Sequence, residues 1–368
     1  MESHLFTPLR VGNITLSHRV IMAPLTRFRA NDRGEHEQIA EKYYEQRATP
    51  GGLIIGEATY TSEEAGGQPN APGLWSAQQI RSWKRITDKV HAKGGFIFAQ
   101  LREDGRAANP DHIRSLGHHY VAPSAVPLPG GEVPQPLTKD AIKRFVRMFA
   151  DAGRDAVHGA GFDGVEIHNA NGYLPDQFLD KRANLRNDEY GGNLENRCRF
   201  TLEALAALVE VVGQERAGIR FSPYNGFQDM TKPDDEVNET FSYLVREIRD
   251  RYPNLAYIHI VEPRITGDSD KDGLVKQSSK YLRDIWNEKG ERPYIAAGGF
   301  TKGDAEESVR KLGGGVAFGR YFVSNPDLVH RLKHGLPLNK YDRSTFYGPP
   351  GPTSTKGYTD YPFASLWN

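Results

Sequence analysis

Val165-Glu166-Ile167-His168-Asn169-Ala170-Asn171-Gly172-Tyr173 opens as an apolar, β-branched run and ends with three polar side chains within six residues. The opening has the composition of a buried strand. A strand entering a loop sets His168, Asn171 and Tyr173 together above a sheet edge, where they offer two hydrogen-bond donors and one phenolic proton. Alone, His-x-x-Asn-x-Tyr is ordinary loop chemistry. Seven further strands of the same kind change its meaning.

Those strands alternate with helical segments along the chain. Val20–Ala23 precedes a helix over Glu37–Ala48, and Gly52–Ile55 precedes one over Gln78–Lys93. Gly95–Gln100 is followed by a helix over Lys139–Gly159, and Val165–His168 by one over Leu194–Val212. Ala217–Phe221, Ala256–Val261, Tyr294–Ala297 and Gly315–Phe318 are paired with helices over Glu236–Arg251, Ser278–Asn287, Asp304–Leu312 and Pro326–Lys333. Strands this short and apolar are covered on both faces. Eight such units point to an α/β fold, a closed (β/α)8 TIM barrel, with a doubly wound open sheet as the alternative because alternation does not show closure.

An N-terminal hairpin, Thr7–Val11 and Ile14–Leu16 around Gly12-Asn13, is expected to plug the barrel bottom. The Pro- and Gly-bearing segment from Arg102 to Leu137 is a long insertion after strand 3 and is expected to fold over the top. The tail from Lys340 carries Tyr341, Phe346, Tyr347, Tyr358, Tyr361, Phe363 and Trp367, and is expected to dock. No linker divides the chain, so residues 1–368 read as a single domain.

Composition narrows the function. The 47 basic and 47 acidic residues balance, which gives no attraction to nucleic acid or an anionic membrane. No apolar run reaches the roughly 20 residues of a membrane span, and residues 1–6 lack a signal peptide's basic and apolar regions. One cysteine, Cys198, excludes a disulfide framework or a multi-cysteine metal site, and His118-His119 lacks carboxylate company. A cytoplasmic protein without a metal is expected, as monomer or homodimer.

Barrel chemistry sits at the C-terminal strand ends. Here these carry Thr26, Ala58, Gln100, His168 with Asn171, Arg220, Glu262, Gly298-Gly299 and Gly319-Arg320. The last four place bare backbone N–H groups and a guanidinium at the usual barrel phosphate site, although the glycines also suit tight turns. Gln100 and Arg220, inward of it, suit the pyrimidine-like edge of a flavin. Gly313-Gly314-Gly315-Val316-Ala317-Phe318 fails the dinucleotide fingerprint, which favours a mononucleotide.

With these residues in place, the chain resembles the Old Yellow Enzyme family of FMN-dependent ene-reductases, filamentous-fungal members most of all, some of which act in secondary metabolism. The resemblance rests on Leu5–Leu9, His18-Arg19-Val20, Ala23–Arg27, Tyr43-Tyr44-x-Gln46-Arg47-Ala48 and Gly164–His168. It continues through Asn171-Gly172-Tyr173-Leu174-x-x-Gln177-Phe178-Leu179, Tyr190–Asn193, Phe318-Gly319-Arg320 and Tyr358-x-Asp360-Tyr361-Pro362. It implies that Pro24, Thr26, Ala58, Gln100 and Arg220 contact the isoalloxazine of FMN, Thr26 tuning its potential. Gly298, Gly299, Gly319 and Arg320 then hold the phosphate. His168 and Asn171 grip the carbonyl or nitro oxygen of an activated alkene, Tyr173 protonates it, and NADPH or NADH is the reductant. Tyr347 is expected to border the pocket.

One position departs from the family. After Gln100-Leu101 the family usually has tryptophan, whereas this chain has Arg102, followed by Glu103-Asp104-Gly105-Arg106. Either Arg102 reaches substrate and favours a carboxylate, or it pairs with Glu103 or Asp104 in a loop network. Two alternatives to alkene reduction stay open: FMN-dependent isomerisation or desaturation of a pathway intermediate, and flavin binding without efficient catalysis.

Overall fold

The computed structural model describes residues 3–266, 269–270, 277–347 and 353–365. Its eight barrel strands are β1 (Val20–Met22), β2 (Leu53–Tyr60), β3 (Phe96–Arg102) and β4 (Gly164–Asn169), then β5 (Ala217–Phe221), β6 (Tyr257–Val261), β7 (Tyr294–Ala297) and β8 (Gly315–Phe318). All pair in parallel with their sequence neighbours, and β8 returns to β1 through Val316–Val20, Ala317–Ile21 and Phe318–Met22. That last ladder closes the barrel and excludes the open sheet.

The outer helices are α1 (Gln38–Arg47), α2 (Ala77–Ala92), α3 (Lys139–Arg154), α4 (Leu194–Val212), α5 (Asp234–Arg251), α6 (Lys280–Asn287), α7 (Lys302–Leu312) and α8 (Leu328–His334). Local chemistry sets their starts. The Ser76 hydroxyl accepts the Gln79 N–H while the Gln79 side chain reaches back, and Thr301 and Asp304 repeat the arrangement. The Lys139–Gly159 segment is α-helical only to Arg154 and continues as a π turn over Asp155–Gly159.

Apolar side chains fill two layers. One lies between strands and helices, around Trp83, Phe145, Phe149, Leu205 and Phe241. The other fills the barrel, where Ile21, Ile55, Phe98, Tyr257 and Ile295 meet Val11, Ile14 and Leu16 of the hairpin, which therefore closes the bottom. Two strands overrun their expected ends. β2 continues past a register shift between Ile55 and Ala58 to Tyr60 because Glu57 is buried and paired: its carboxylate accepts from Tyr44 Oη (3.2 Å) and from the Arg27 N–H (3.1 Å). β3 runs to Arg102, whose charge is met by Asp104.

The insertion after β3 carries a short helix, Pro110–Ser115, and a small ladder between Val121–Ala122 and Gln135–Pro136, and it brings Ala107 and Leu128 to the barrel mouth. The tail docks: Tyr358 stacks on Tyr43 with ring centres 4.1 Å apart, and Arg27 Nη2 donates to the Gly357 carbonyl at 2.7 Å. Trp367 lies outside the described residues.

Candidate active site

At the C-terminal ends of the strands lies a cavity of about 780 Å³. Pro24, Thr26, Ala58, Gln100, Arg102, His168, Asn171, Tyr173, Arg220, Gly298, Gly299, Gly319, Arg320 and Tyr347 all line it. Glu262 does not. Its carboxylate turns away and accepts the Ser279 N–H at 3.1 Å, ahead of α6.

Gln100, Arg220, Gly298, Gly299, Gly319 and Arg320 offer the cavity a set of hydrogen-bond donors. Gln100 Nε2 donates to Glu166 Oε1 at 2.6 Å, and burial does not prevent Glu166 from staying ionised, because His259 and Arg220 hold its pKa below the ordinary range. A carboxylate only accepts, so the Gln100 amide is fixed with its oxygen and one N–H free for an imide-like edge. Beside it Arg220 Nε is buried without a hydrogen-bond partner among the described residues. Across the cavity Gly298 (φ 124°) and Gly299 (φ 65°) follow β7. A Cβ on Gly298 would lie 3.0 Å from the Glu262 carbonyl, so the backbone passes where a side chain could not. Gly319 and Arg320 follow β8 at the same mouth. These donors fit FMN: an oriented amide and a guanidinium for the ring, and glycine backbone with Arg320 for the phosphate.

The cavity also holds His168, Asn171 and Tyr173. His168 is buried with Nδ1 unpartnered among the described residues, and its ring meets Tyr173 edge-on at 4.8 Å. Burial, reinforced by Arg220 and Arg102, keeps its pKa well below the ordinary value, so the imidazole is neutral at neutral pH. Asn171 adopts φ 57°, and its backbone N–H donates to Ser222 Oγ at 2.7 Å. Asn225 sets the Asn171 amide. The Phe227 N–H donates to Asn225 Oδ1 (2.9 Å), so Asn225 Nδ2 is the end that donates to Asn171 Oδ1, at 2.6 Å. The Asn171 amide N–H groups are left for a ligand. Sequence reasoning missed Asn225 and Ser222, although the polar run Ser222-Pro223-Tyr224-Asn225 at the end of β5 was a usable signal. It also missed Phe28, whose φ of 52° turns it to the cavity edge against Tyr347 (6.3 Å).

Arg102 lines the cavity, but its guanidinium is engaged. Nε lies 2.9 Å from Asp104 Oδ1, Nη1 donates to Thr26 Oγ1 (3.2 Å) and Nη2 to Tyr60 Oη (2.5 Å). Tyr60 Oη in turn donates to Asp104 Oδ2 at 2.7 Å. The partner is Asp104 rather than Glu103, which faces Thr61, and the pair is buried rather than solvated. With its charge matched by Asp104 and both Nη atoms donating hydrogen bonds, Arg102 is poorly set to capture an anion.

The NADH:flavin oxidoreductase / NADH oxidase family matches residues 4–339. An NADP-dependent oxidoreductase of Aspergillus flavus is 44% identical over 378 residues, spanning 99% of this chain and 97% of its own. Morphinone reductase superposes with a TM-score of 0.89 at 38% identity, over 100% of this chain and 98% of its own. An Old Yellow Enzyme from Pichia sp. does so with a TM-score of 0.89 at 34% identity, over 99% and 94%. The chain belongs to the NADH:flavin oxidoreductase family, as an oxidoreductase of the Old Yellow Enzyme type that works with FMN and a nicotinamide reductant.

Proposed function

We propose that the protein is an ene-reductase, reducing the C=C bond of an activated alkene, an α,β-unsaturated carbonyl or a nitroalkene. The observation that carries this reading is the convergence, in the cavity that Gln100 and Arg220 also line, of a neutral His168, an Asn171 whose amide N–H groups are left for a ligand, and Tyr173. Pro24, Thr26, Ala58, Gln100 and Arg220 hold the isoalloxazine, and Gly298, Gly299, Gly319 and Arg320 the phosphate. When bound, the flavin supplies hydride and is replenished by NADPH or NADH.

The protein's own groups do the rest. His168 and Asn171 donate to the substrate's carbonyl or nitro oxygen, which gains charge as the alkene is reduced. Donors fixed before the reaction stabilise that charge without reorganisation. Tyr173 gives its phenolic proton to the α-carbon. Tyr347, with 41% of its surface exposed at the mouth, borders the entry.

Anaerobic titration tests this reading. NADPH should bleach the flavin, and cyclohexenone should restore its colour with one NADPH consumed per alkene reduced. The joint substitution His168→Ala and Asn171→Ala should abolish the long-wavelength band that phenols give with the flavin. Tyr173→Phe should slow reoxidation by the enone and spare reduction by NADPH. Conversion of a substrate without NADPH consumption would replace reduction by net isomerisation.

A further inference from the structure

The buried Arg102–Asp104–Tyr60 cluster touches two groups of the proposed machinery without being placed to bind substrate itself. Besides its hydrogen bond to Thr26, the Arg102 guanidinium carbon sits 4.8 Å from the centre of the Tyr173 ring and 4.6 Å from that of Tyr60. Asp104, through its ion pair with Nε, and Tyr60, through its hydrogen bond with Nη2, fix the side chain, and both belong to strand ends or the loop directly after one. The arrangement resembles a clamp. The cation has one face for the phenol and one N–H for the hydroxyl.

We propose that Arg102 is a positioning residue, which steadies the negative charge left on Tyr173 when it gives up its proton and turns the Thr26 hydroxyl proton toward the flavin. The inference rests on the reading of Tyr173 as proton donor and Thr26 as a flavin contact. Its chemistry follows from the two contacts. When the Tyr173 O–H bond breaks, the proton forms the new C–H bond at the substrate α-carbon. The bonding pair remains on Oη, and water in the cavity later reprotonates it. A cation beside the ring favours that phenolate. The charged and titratable groups facing Tyr173 are Arg102, Asp104, Arg220 and His168, and Gln228 adds a side-chain hydrogen bond. Burial raises the Tyr173 pKa, and Arg102 is the strongest influence lowering it, ahead of the opposing pull of Asp104. At Thr26 the logic is one of direction. A hydroxyl that accepts from an arginine, which can only donate, has its own proton free for another acceptor. A proton donated to the ring stabilises its reduced, more negative form.

Two holoenzyme variants test the proposal. Arg102→Lys keeps the charge and loses the fork. The double variant Arg102→Met with Asp104→Asn removes the pair together and avoids stranding a buried carboxylate. In both, the flavin midpoint potential should move to more negative values, and Thr26→Ala should remove that difference. In the double variant, single-turnover reoxidation by cyclohexenone should slow at least tenfold, with its rate–pH profile displaced to higher pH. Made on a Tyr173→Phe background, the same double change should slow reoxidation no further, while still shifting the potential. An unchanged potential together with equal slowing on both backgrounds would overturn the proposal, as would a loss confined to unsaturated carboxylate substrates. If Tyr173→Phe alone leaves reoxidation unaffected, the proton-donor reading has failed, and the potential still reports on the Thr26 contact.

Discussion

At the scale of single residues, this site depends on groups that never meet a ligand. Asn171 was readable from its place after a buried strand, but which end of its amide faces the cavity depends on Asn225, 54 positions later, and on one backbone N–H of Phe227. No local pattern ties those positions together. Only the adjacency of β4 and β5 does, with His168 beside Arg220 in the ladder. Asn225→Ala therefore frees the Asn171 amide to rotate. The hydrogen bond it removes is worth about 0.5–1.5 kcal/mol, so affinity for a phenol should fall roughly 2- to 10-fold. FMN content should match that of the parent chain, since Asn225 does not line the cavity. Titration of the long-wavelength band measures the affinity. An unchanged dissociation constant would mean that Asn171 keeps its orientation unaided.

Among the elements, the apolar runs of the eight strands were legible because parallel strands covered on both faces need continuous β-branched or aromatic residues. The extents of β2 and β3 were not, because Glu57 and Arg102 look like strand ends until Tyr44, Arg27 and Asp104 are brought to them. The short helix Leu174–Leu179 was equally hidden: it spans six residues, too few for a periodicity, and is buried throughout, Asp176 and Gln177 included. Its anchor is Gln177. Nε2 donates to the carbonyls of Gly172 (2.7 Å) and Asp104 (2.9 Å), and Oε1 accepts the Arg106 N–H (3.1 Å). One side chain thus ties the loop that carries Asn171 and Tyr173 to the loop that carries Asp104. Gln177→Leu keeps the approximate volume and leaves two buried backbone groups without their partner, the Gly172 carbonyl and the Arg106 N–H, while the Asp104 carbonyl keeps the Ala107 N–H. With each at about 1–3 kcal/mol and partial relaxation, a stability loss of roughly 2–4 kcal/mol is expected, read as a lower urea midpoint. Phenol affinity should fall with it. A loss under about 1 kcal/mol would show that water or backbone movement replaces Gln177.

Across the whole molecule, the two ends of the barrel divide the work, chemistry at the top and closure at the bottom, and the bottom carries its own pH dependence. His18 lies there, between the hairpin and β1, 6% exposed, with Nε2 3.0 Å from Thr49 Oγ1. Burial lowers its pKa to about 4, with Lys333 adding to the effect. The folded protein therefore keeps His18 neutral, while the unfolded chain protonates it below its ordinary value near 6.5. Between those two values the unfolded state binds more protons, so stability falls as pH falls, and the contribution present above pH 6.5 is lost by about pH 4. Its size is on the order of 3 kcal/mol, from about 1.4 kcal/mol per pKa unit. His36 presents the opposite case. It is held down to about 3 while the adjacent Glu57 is pushed up to about 7, both by burial. Over most of the same window the pair carries one proton in either state, on the histidine when unfolded and on the carboxyl when folded, so it adds almost no slope. Among the described residues no carboxylate acts on His18 to compensate in this way. Replacing it should therefore change the pH dependence of stability, whatever its effect at neutral pH. Urea midpoints of the FMN-loaded protein at pH 7 and pH 4.5 should lie closer together in His18→Gln than in the parent chain, with the other titrating groups cancelling in the comparison. Parallel curves would show that His18 gains its proton in the folded barrel as readily as in the unfolded chain, through an opening of the hairpin plug.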